Sequence, residues 1–265
     1  MSQSRTALVT GATAGIGAAF ARHLARAGYD LVIVARDRAR LEETAHGLAN
    51  EFDVGAAVLP ADLTTEDGRA TVQERLRDTP VDLLVNNAGM SLNTPFLRST
   101  TEGEERLLAL NVHAVMALTL AALPGMVERR AGAVVNVSSV AGFGAGMPGS
   151  TYPASKAWVT NFSESVGLSV RPFGVRVMAL CPGYVRTEFH DRAGINTSGT
   201  PDWLWLDAGS VVADGMADLR KGKYVSVPTW KYKVAAFGLK HIPRAIIHRV
   251  APDVRGRIGR NDPQV

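Results

Sequence analysis

Compact apolar runs and polar, helix-periodic stretches alternate along the first 180 residues of the chain. Thr6–Thr10, Asp30–Ala35, Gly55–Leu59, Val81–Val85, Ala133–Val137 and Val175–Leu180 have strand length and are rich in Val, Ile and Leu. After the first of them, Ile16, Phe20, Leu24 and Ala27 recur at helical spacing, and Gly28 supplies a stop. That pattern predicts a helix from Gly15 to Ala27, and similar patterns predict helices over Arg38–Glu51, Thr65–Arg77, Glu102–Arg130 and Pro153–Val170. The runs LVIVA and AVVNV are continuous rather than alternating, as strands covered on both faces are. Six such alternations predict an α/β fold: a doubly wound parallel sheet of about seven strands with helices on both faces.

Composition narrows the class. A chain of 265 residues with 46% hydrophobic and 20% charged residues builds its own core, which excludes wholesale disorder. No repeat or linker divides it, so residues 1–265 read as a single domain, with a variable lobe and tail from about 183 onward. Cys181 is the one cysteine and no Cys/His group has zinc spacing, which removes an internal disulfide and suits a reducing cytoplasm. The opening MSQSRTALVTG lacks the apolar segment of a signal peptide. The longest mostly apolar stretch, Ala114–Val127, has about fourteen residues and contains Pro124. A bilayer span takes about 20, so a buried core helix is expected. Charge is uneven: Lys221–Arg260 holds five Lys and five Arg against Asp253 alone, leaving the first 220 residues net acidic.

Between the first strand and the first helix stands Thr10-Gly11-Ala12-Thr13-Ala14-Gly15-Ile16-Gly17. Gly11 permits a tight turn, Gly15 lets backbone approach a pyrophosphate, and Gly17 lets helix and strand pack closely. The helix N-terminus offers free N–H groups and a positive dipole end to phosphates. A tight turn without a ligand is the plain alternative, but the position after strand one favours a dinucleotide.

The glycine spacing is G-x-x-x-G-x-G, and further motifs follow in order: Asn86-Asn87-Ala88-Gly89, Asn111, Ser139, Tyr152-x-x-x-Lys156 and Pro182-Gly183. Over roughly residues 5–190 this set resembles the short-chain dehydrogenase/reductase superfamily, in its compact, Rossmann-like single-domain branch. The resemblance implies that Gly11, Thr13, Ala14, Gly15, Ile16 and Gly17 cradle the cofactor. It also implies that Asp62, with Leu63, meets the adenine, that Asn87, Ala88 and Gly89 line the cofactor face, and that Asn86 stitches strands. Pro182, Gly183, Val185 and Thr187 meet the nicotinamide end by the same resemblance. Asp62 could instead cap the helix near Thr65.

Cofactor choice falls at Ala35-Arg36-Asp37-Arg38, where an acid would take a ribose diol. Arg36 stands at the deciding position of the family, and a guanidinium suits a 2′-phosphate. NADP(H) is therefore expected over NAD(H), with Arg38 a second contact. Asp37 beside it and Ala14, where relatives often carry a basic residue, pull the other way. A merely solvated Arg36 is the plain alternative.

Tyr152 and Lys156 are four residues apart at a helix start, with Pro153 suited to its first turn, so both face one side. A free phenol has a pKa of about 10, and a nearby ammonium favours the phenolate. Tyr152 then gives a proton to a carbonyl or takes one from an alcohol. By resemblance Lys156 also holds the ribose hydroxyls. Ser139, thirteen residues before Tyr152, polarises the substrate oxygen, with Ser138 as the bland alternative. Asn111 helps hold a water beside Lys156, unless it is a structural kink. Cys181 reads as a small buried residue at a strand end.

Met90, Phe143, Met147 and Tyr184 flank the expected substrate pocket and favour an apolar ketone or alcohol over a sugar. Phe189, Trp203, Leu204, Trp205 and Leu206 either roof that pocket or pack a lid or dimer contact. A weak similarity of the tail to 3-oxoacyl and 17β-hydroxysteroid reductases hints at 3-oxoacyl, steroid-like or xenobiotic carbonyls. Relatives pair through their long helices, which implies a homodimer or homotetramer. The basic, aromatic tail is a solvated lobe, a membrane-surface or acyl-CoA patch that would make the protein peripheral to a membrane, or, least favoured, a nucleic acid contact. A nucleotide-binding regulator or scaffold without turnover is the rival function, disfavoured by the intact Asn111, Ser139, Tyr152 and Lys156 set.

Overall fold

In a computed structural model of the protein, residues 5–92, 94, 96–144, 151–189 and 200–242 are described. Strands β1 (Arg5–Thr10), β2 (Tyr29–Ala35), β3 (Ala56–Pro60), β4 (Leu83–Asn86), β5 (Gly132–Val137), β6 (Val175–Leu180) and β7 (Val225–Ser226) form one sheet. Its order is β3-β2-β1-β4-β5-β6-β7 and every pairing is parallel. Chain order reverses between β1 and β4, where Val9 lies opposite both Ile33 and Val85. The carboxyl ends there splay apart into the crevice where such sheets bind ligands.

Helices α1 (Gly15–Arg26) and α2 (Arg38–Phe52) cover one face, joined by α7 (Ala208–Arg220). Helices α3 (Glu66–Asp78), α4 (Thr101–Leu108), α5 (Ala114–Glu128) and α6 (Tyr152–Val170) cover the other, and α8 (Trp230–His241) follows β7. Successive strand residues feed opposite cores. Val9 packs with Phe20, Leu24, Ile33 and Val211, while Leu8 packs with Val34, Leu84, Leu118 and Val134. This two-sided burial explains the continuous apolar runs.

The expected helix over Glu102–Arg130 is interrupted. A π-helical turn, Ala109–His113, separates α4 from α5, and Asn111 sits in it, fully buried. The helical run Thr101–Glu128 is, by length and composition, long and apolar enough to cross a bilayer. The count of about fourteen residues underestimated it because it followed unbroken apolarity, not helical length. Its residues Leu107, Val115, Leu118, Ala122 and Met126 are buried against the sheet and its neighbours, the packing of a core helix.

Candidate active site

Three loops meet at the switch point. After β1 the chain turns at Gly11 (φ +65°) and Gly15 (φ +55°), a backbone conformation that favours glycine. A Cβ on Gly17 would stand 2.0 Å from the Gly11 carbonyl oxygen, so helix and turn pack too closely for a side chain. No side-chain hydrogen bond caps α1, whose N-cap is Ala14. The loop is fastened from β4: the Asn87 side chain donates to the Thr10 and Gly11 carbonyls (2.9 and 3.2 Å), and the Thr10 hydroxyl accepts from the Asn87 and Ala88 amides. Asn87 thus shapes the loop with its side chain, while Asn86 bonds Thr119 and Asn136 between strands. Gly15 faces Thr187, whose Cβ would lie 2.9 Å from an added methyl group. Ile16 packs on the core beneath.

Tyr152 and Lys156 open α6 and share a face. The Lys156 Nζ lies 5.7 Å from the Tyr152 ring centroid and donates to the Val137 carbonyl at 2.9 Å. Burial pushes the Lys156 pKa down to about 8. Gly89 is the close neighbour on the other side: a Cβ there would lie 3.3 Å from Asn111 Oδ1 and 3.4 Å from Lys156 Nζ. Asn111 accepts from the Met90 amide and donates to the Met90 carbonyl, both at 2.9 Å, and also donates to Ser155 Oγ at 3.2 Å. Ser138 is buried and gives its hydroxyl to the Lys156 carbonyl at 2.7 Å. Ser139 is only partly buried; it starts the short turn Val140–Phe143, its Oγ accepting from Ala141 N at 3.2 Å. Cys181 is buried, and that burial raises its thiol to about 11, so it stays protonated near neutral pH. Of the four expected pocket residues, Met90, Phe143 and Tyr184 are described; Met147 lies outside the described residues.

At the far end of the crevice, Arg36 is exposed just beyond β2. Desolvation raises the Asp62 pKa, but hydrogen bonds from the Thr64 amide and hydroxyl, with the charges of Arg36 and Arg106, carry it below the usual carboxylate value. Asp62 does not cap α3: Thr65 does, accepting from Gly68 N, because Asp62 is held in its own turn by Thr64. Leu63 behind it is buried. Asp37 caps α2, its Oδ1 accepting from the Arg40 amide. Arg38 pairs with Glu42. Arg40, which no sequence motif marks, reaches the Thr13 carbonyl at 3.5 Å and Glu188 at 3.2 Å, tying the glycine loop to the segment after β6.

That segment clasps the site. Pro182 accepts from Val140 N, and Val185 is buried and bridges to Leu206. Gly183 lies under the ring of Tyr232 on α8; a Cβ there would be 1.9 Å from Tyr232 Cζ. The Tyr232 hydroxyl accepts from Tyr184 N at 3.0 Å and donates to the Leu204 carbonyl at 2.7 Å. Phe189 faces Tyr152 at 6.1 Å between ring centroids, and Trp205 meets Tyr184 edge-on at 5.6 Å. Trp203 points outward, 60% exposed, so it does not line a pocket here.

A glycine cradle that admits no side chain, facing an uncapped helix start at the switch point, fits the pyrophosphate of a dinucleotide. Comparison with known proteins agrees. A family model described as short chain dehydrogenase matches residues 5–196. A short-chain dehydrogenase from Sphingobium yanoikuyae in complex with NADPH is 35% identical, with a TM-score of 0.83 and 98% of each chain covered. The bulky-bulky ketone specific alcohol dehydrogenase from Comamonas testosteroni is 33% identical, with a TM-score of 0.77, covering 91% of this chain and 96% of that one. The 3-oxoacyl-acyl-carrier-protein reductase of Aquifex aeolicus is 33% identical over 188 residues, 70% of this chain and 76% of its own. The chain belongs to the short-chain dehydrogenase family, oxidoreductases that interconvert CH–OH and C=O groups with a nicotinamide cofactor.

Proposed function

We propose that the protein is an NADP(H)-dependent ketoreductase that works on an apolar carbonyl. The observation that carries this is the buried Lys156 ammonium beside the Tyr152 ring at the carboxyl end of the sheet. A reduced nicotinamide held by the glycine turn and the crevice would supply the hydride for the carbonyl carbon. The Tyr152 hydroxyl delivers the proton to the carbonyl oxygen, and the Lys156 charge stabilises the phenolate left behind. Ser139 hydrogen-bonds that oxygen as charge develops on it. Asn111 fixes the Met90 backbone and Ser155. Since its side chain is so engaged, a water that it holds must sit on its main chain, where the π turn loosens the helical ladder.

Gly11, Thr13, Ala14, Gly15, Ile16 and Gly17 hold the phosphates in this reading. Asp62 and Leu63 lie at the adenine, while Asn87, Ala88, Gly89, Pro182, Gly183, Val185 and Thr187 frame the nicotinamide half. Preference for NADP(H) rests on Arg36, exposed just beyond β2. It is supported by NADPH in the Sphingobium relative. The ketone-specific and 3-oxoacyl relatives, with Met90, Phe143 and Tyr184 beside the site, support an apolar substrate. We place the enzyme in the cytoplasm as a homodimer or homotetramer.

The test pairs cofactor titration with turnover. Arg36→Ala should weaken NADPH binding about tenfold or more and change NADH binding little, since a charge-assisted hydrogen bond contributes about 1.5–3 kcal/mol. Tyr152→Phe should bind cofactor normally and lose reduction across a panel of bulky ketones. Equal loss of both cofactors would remove Arg36 from the phosphate role, and full turnover by Tyr152→Phe would end the mechanism.

A further inference from the structure

Helix α8 has two apolar faces, and among the described residues only one is packed. Tyr232 and Ala236 are buried on the inner face, and Leu239 packs against Gly144. On the outer face Trp230, Val234 and Phe237 follow at i, i+4 and i+7 and are 70%, 63% and 65% exposed. At about 3.6 residues per turn these side chains form one stripe. His241 extends it by stacking on Phe237, ring centroids 4.1 Å apart, and Ile242 at the helix end is 45% exposed. Trp203 lies beside the first turn, with Lys231 Nζ 5.5 Å from its ring centroid. A continuous apolar stripe of this length is unfavourable in water and marks an interaction surface.

Charge selects the occupant. Lys233 and Lys240 border the stripe on one side and Lys231 on the other, and the helix itself holds these three Lys and no acid. A second copy meeting this face through a two-fold axis would set those cations against one another. An anionic bilayer has the opposite charge, an apolar layer for Val234 and Phe237, and an interface that favours Trp. Lysines at the border can keep their ammonium groups at the headgroups while their stems lie along the apolar layer.

We propose that the outer face of α8, with Trp203 beside it, is a docking surface for an anionic lipid bilayer. Tyr232 on the inner face grips Gly183, Tyr184 and Leu204, so docking seats the clasp over the crevice close to the lipid. An apolar carbonyl of the kind proposed above partitions into that layer. The docking itself is read without substrate, so it stands or falls apart from the ketoreductase reading.

The full chain is sedimented with phosphatidylcholine vesicles and with the same vesicles carrying about 30% phosphatidylglycerol. Binding is expected to the anionic vesicles, to weaken with added salt, and to shift Trp emission to the blue. Val234→Ser combined with Phe237→Ser should lower the partition coefficient about tenfold or more. Replacing Lys231, Lys233 and Lys240 by Gln should remove the preference for anionic lipid. All substituted side chains are on the outer face or its borders, and circular dichroism verifies that the variants fold. The proposal is overturned if the protein does not bind anionic vesicles, or if both variants bind as the parent does. It is also overturned if the serine variant splits an oligomer in sedimentation velocity while vesicle binding is unchanged, which would make the stripe a contact between copies.

Discussion

Replacing Lys156 by methionine should stabilise the cofactor-free protein in a way that depends on pH. Burial carries this ammonium from 10.5 to about 8, which corresponds to a cost of about 3 kcal/mol for holding the charged form in the fold. The folded pKa is lowered, so the unfolded chain binds more protons between the two values and stability rises with pH there. The cost is fully present below about pH 8 and has gone above about 10.5. The unbranched thioether is close enough in shape to fill the site but removes the donor to the Val137 carbonyl, a loss of about 1–3 kcal/mol. The extra strength of an ammonium over an amine as that donor is already contained in the folded pKa, and other lysines and tyrosines titrate equally in both proteins. Urea unfolding of parent and variant at pH 7 and at pH 10 therefore isolates the charge by double difference. The variant should gain about 2–3 kcal/mol on the parent at pH 7 relative to pH 10. A double difference under about 1 kcal/mol would show that Lys156 is solvated in the folded protein and would refute its burial beside Tyr152.

Gly17→Ala should destabilise the protein by about 1–3 kcal/mol and weaken NADPH binding, because the new methyl meets the Gly11 carbonyl at 2.0 Å; calorimetry and a fluorescence titration check both, and unchanged affinity would refute the cradle. Tyr232→Phe keeps the ring over Gly183 but strands Tyr184 N, so unfolding should be easier by about 1–2 kcal/mol; a change near zero would mean that the hydroxyl does not brace the clasp. Thr229→Gly should raise stability by about 1 kcal/mol, since Thr229 sits at φ +64° with its buried hydroxyl unbonded; a fall in melting temperature would contradict the strain.

The sheet was readable because parallel strands buried on both faces leave a signal in every window: Leu31–Ala35 is apolar at each position, Ala133–Val137 at all but Asn136, and the intervening helices repeat every 3.6 residues. The glycine turn and the Tyr152–Lys156 pair were readable for the same reason, being local. The π turn at Asn111 was legible only as the alternative of a kink there, because one extra residue in a helix leaves no mark in composition. Asp37 carries a helix-cap signal in its place before Arg38, but beside Arg36 it reads first as a free acid for a ribose diol. Arg40 was one arginine among three, and its partner Glu188 lies 148 residues away. The grip of Tyr232 on Gly183 likewise joins distant segments, and no spacing rule connects them.

Those long-range contacts converge on residues 182–189, and this explains how one short segment serves several duties. Thr187 leans on Gly15 of the phosphate turn, Glu188 holds Arg40 at the opposite rim, and Phe189 faces the Tyr152 ring. Behind them Val185 bridges to Leu206, and Tyr232 pins Tyr184 to α8. Thr187 beside Gly15 and Phe189 facing the Tyr152 ring therefore belong to one braced run of chain. The ion pair Arg40–Glu188 is exposed and therefore weak, which leaves the cofactor end of the segment free to yield. The α8 end is held by the Tyr232 ring against Gly183 and by one hydrogen bond from Tyr184 N, whose acceptor hydroxyl is itself fixed on the Leu204 carbonyl. The segment is thus braced firmly at α8 and lightly at the phosphate turn, and its far end faces Tyr152.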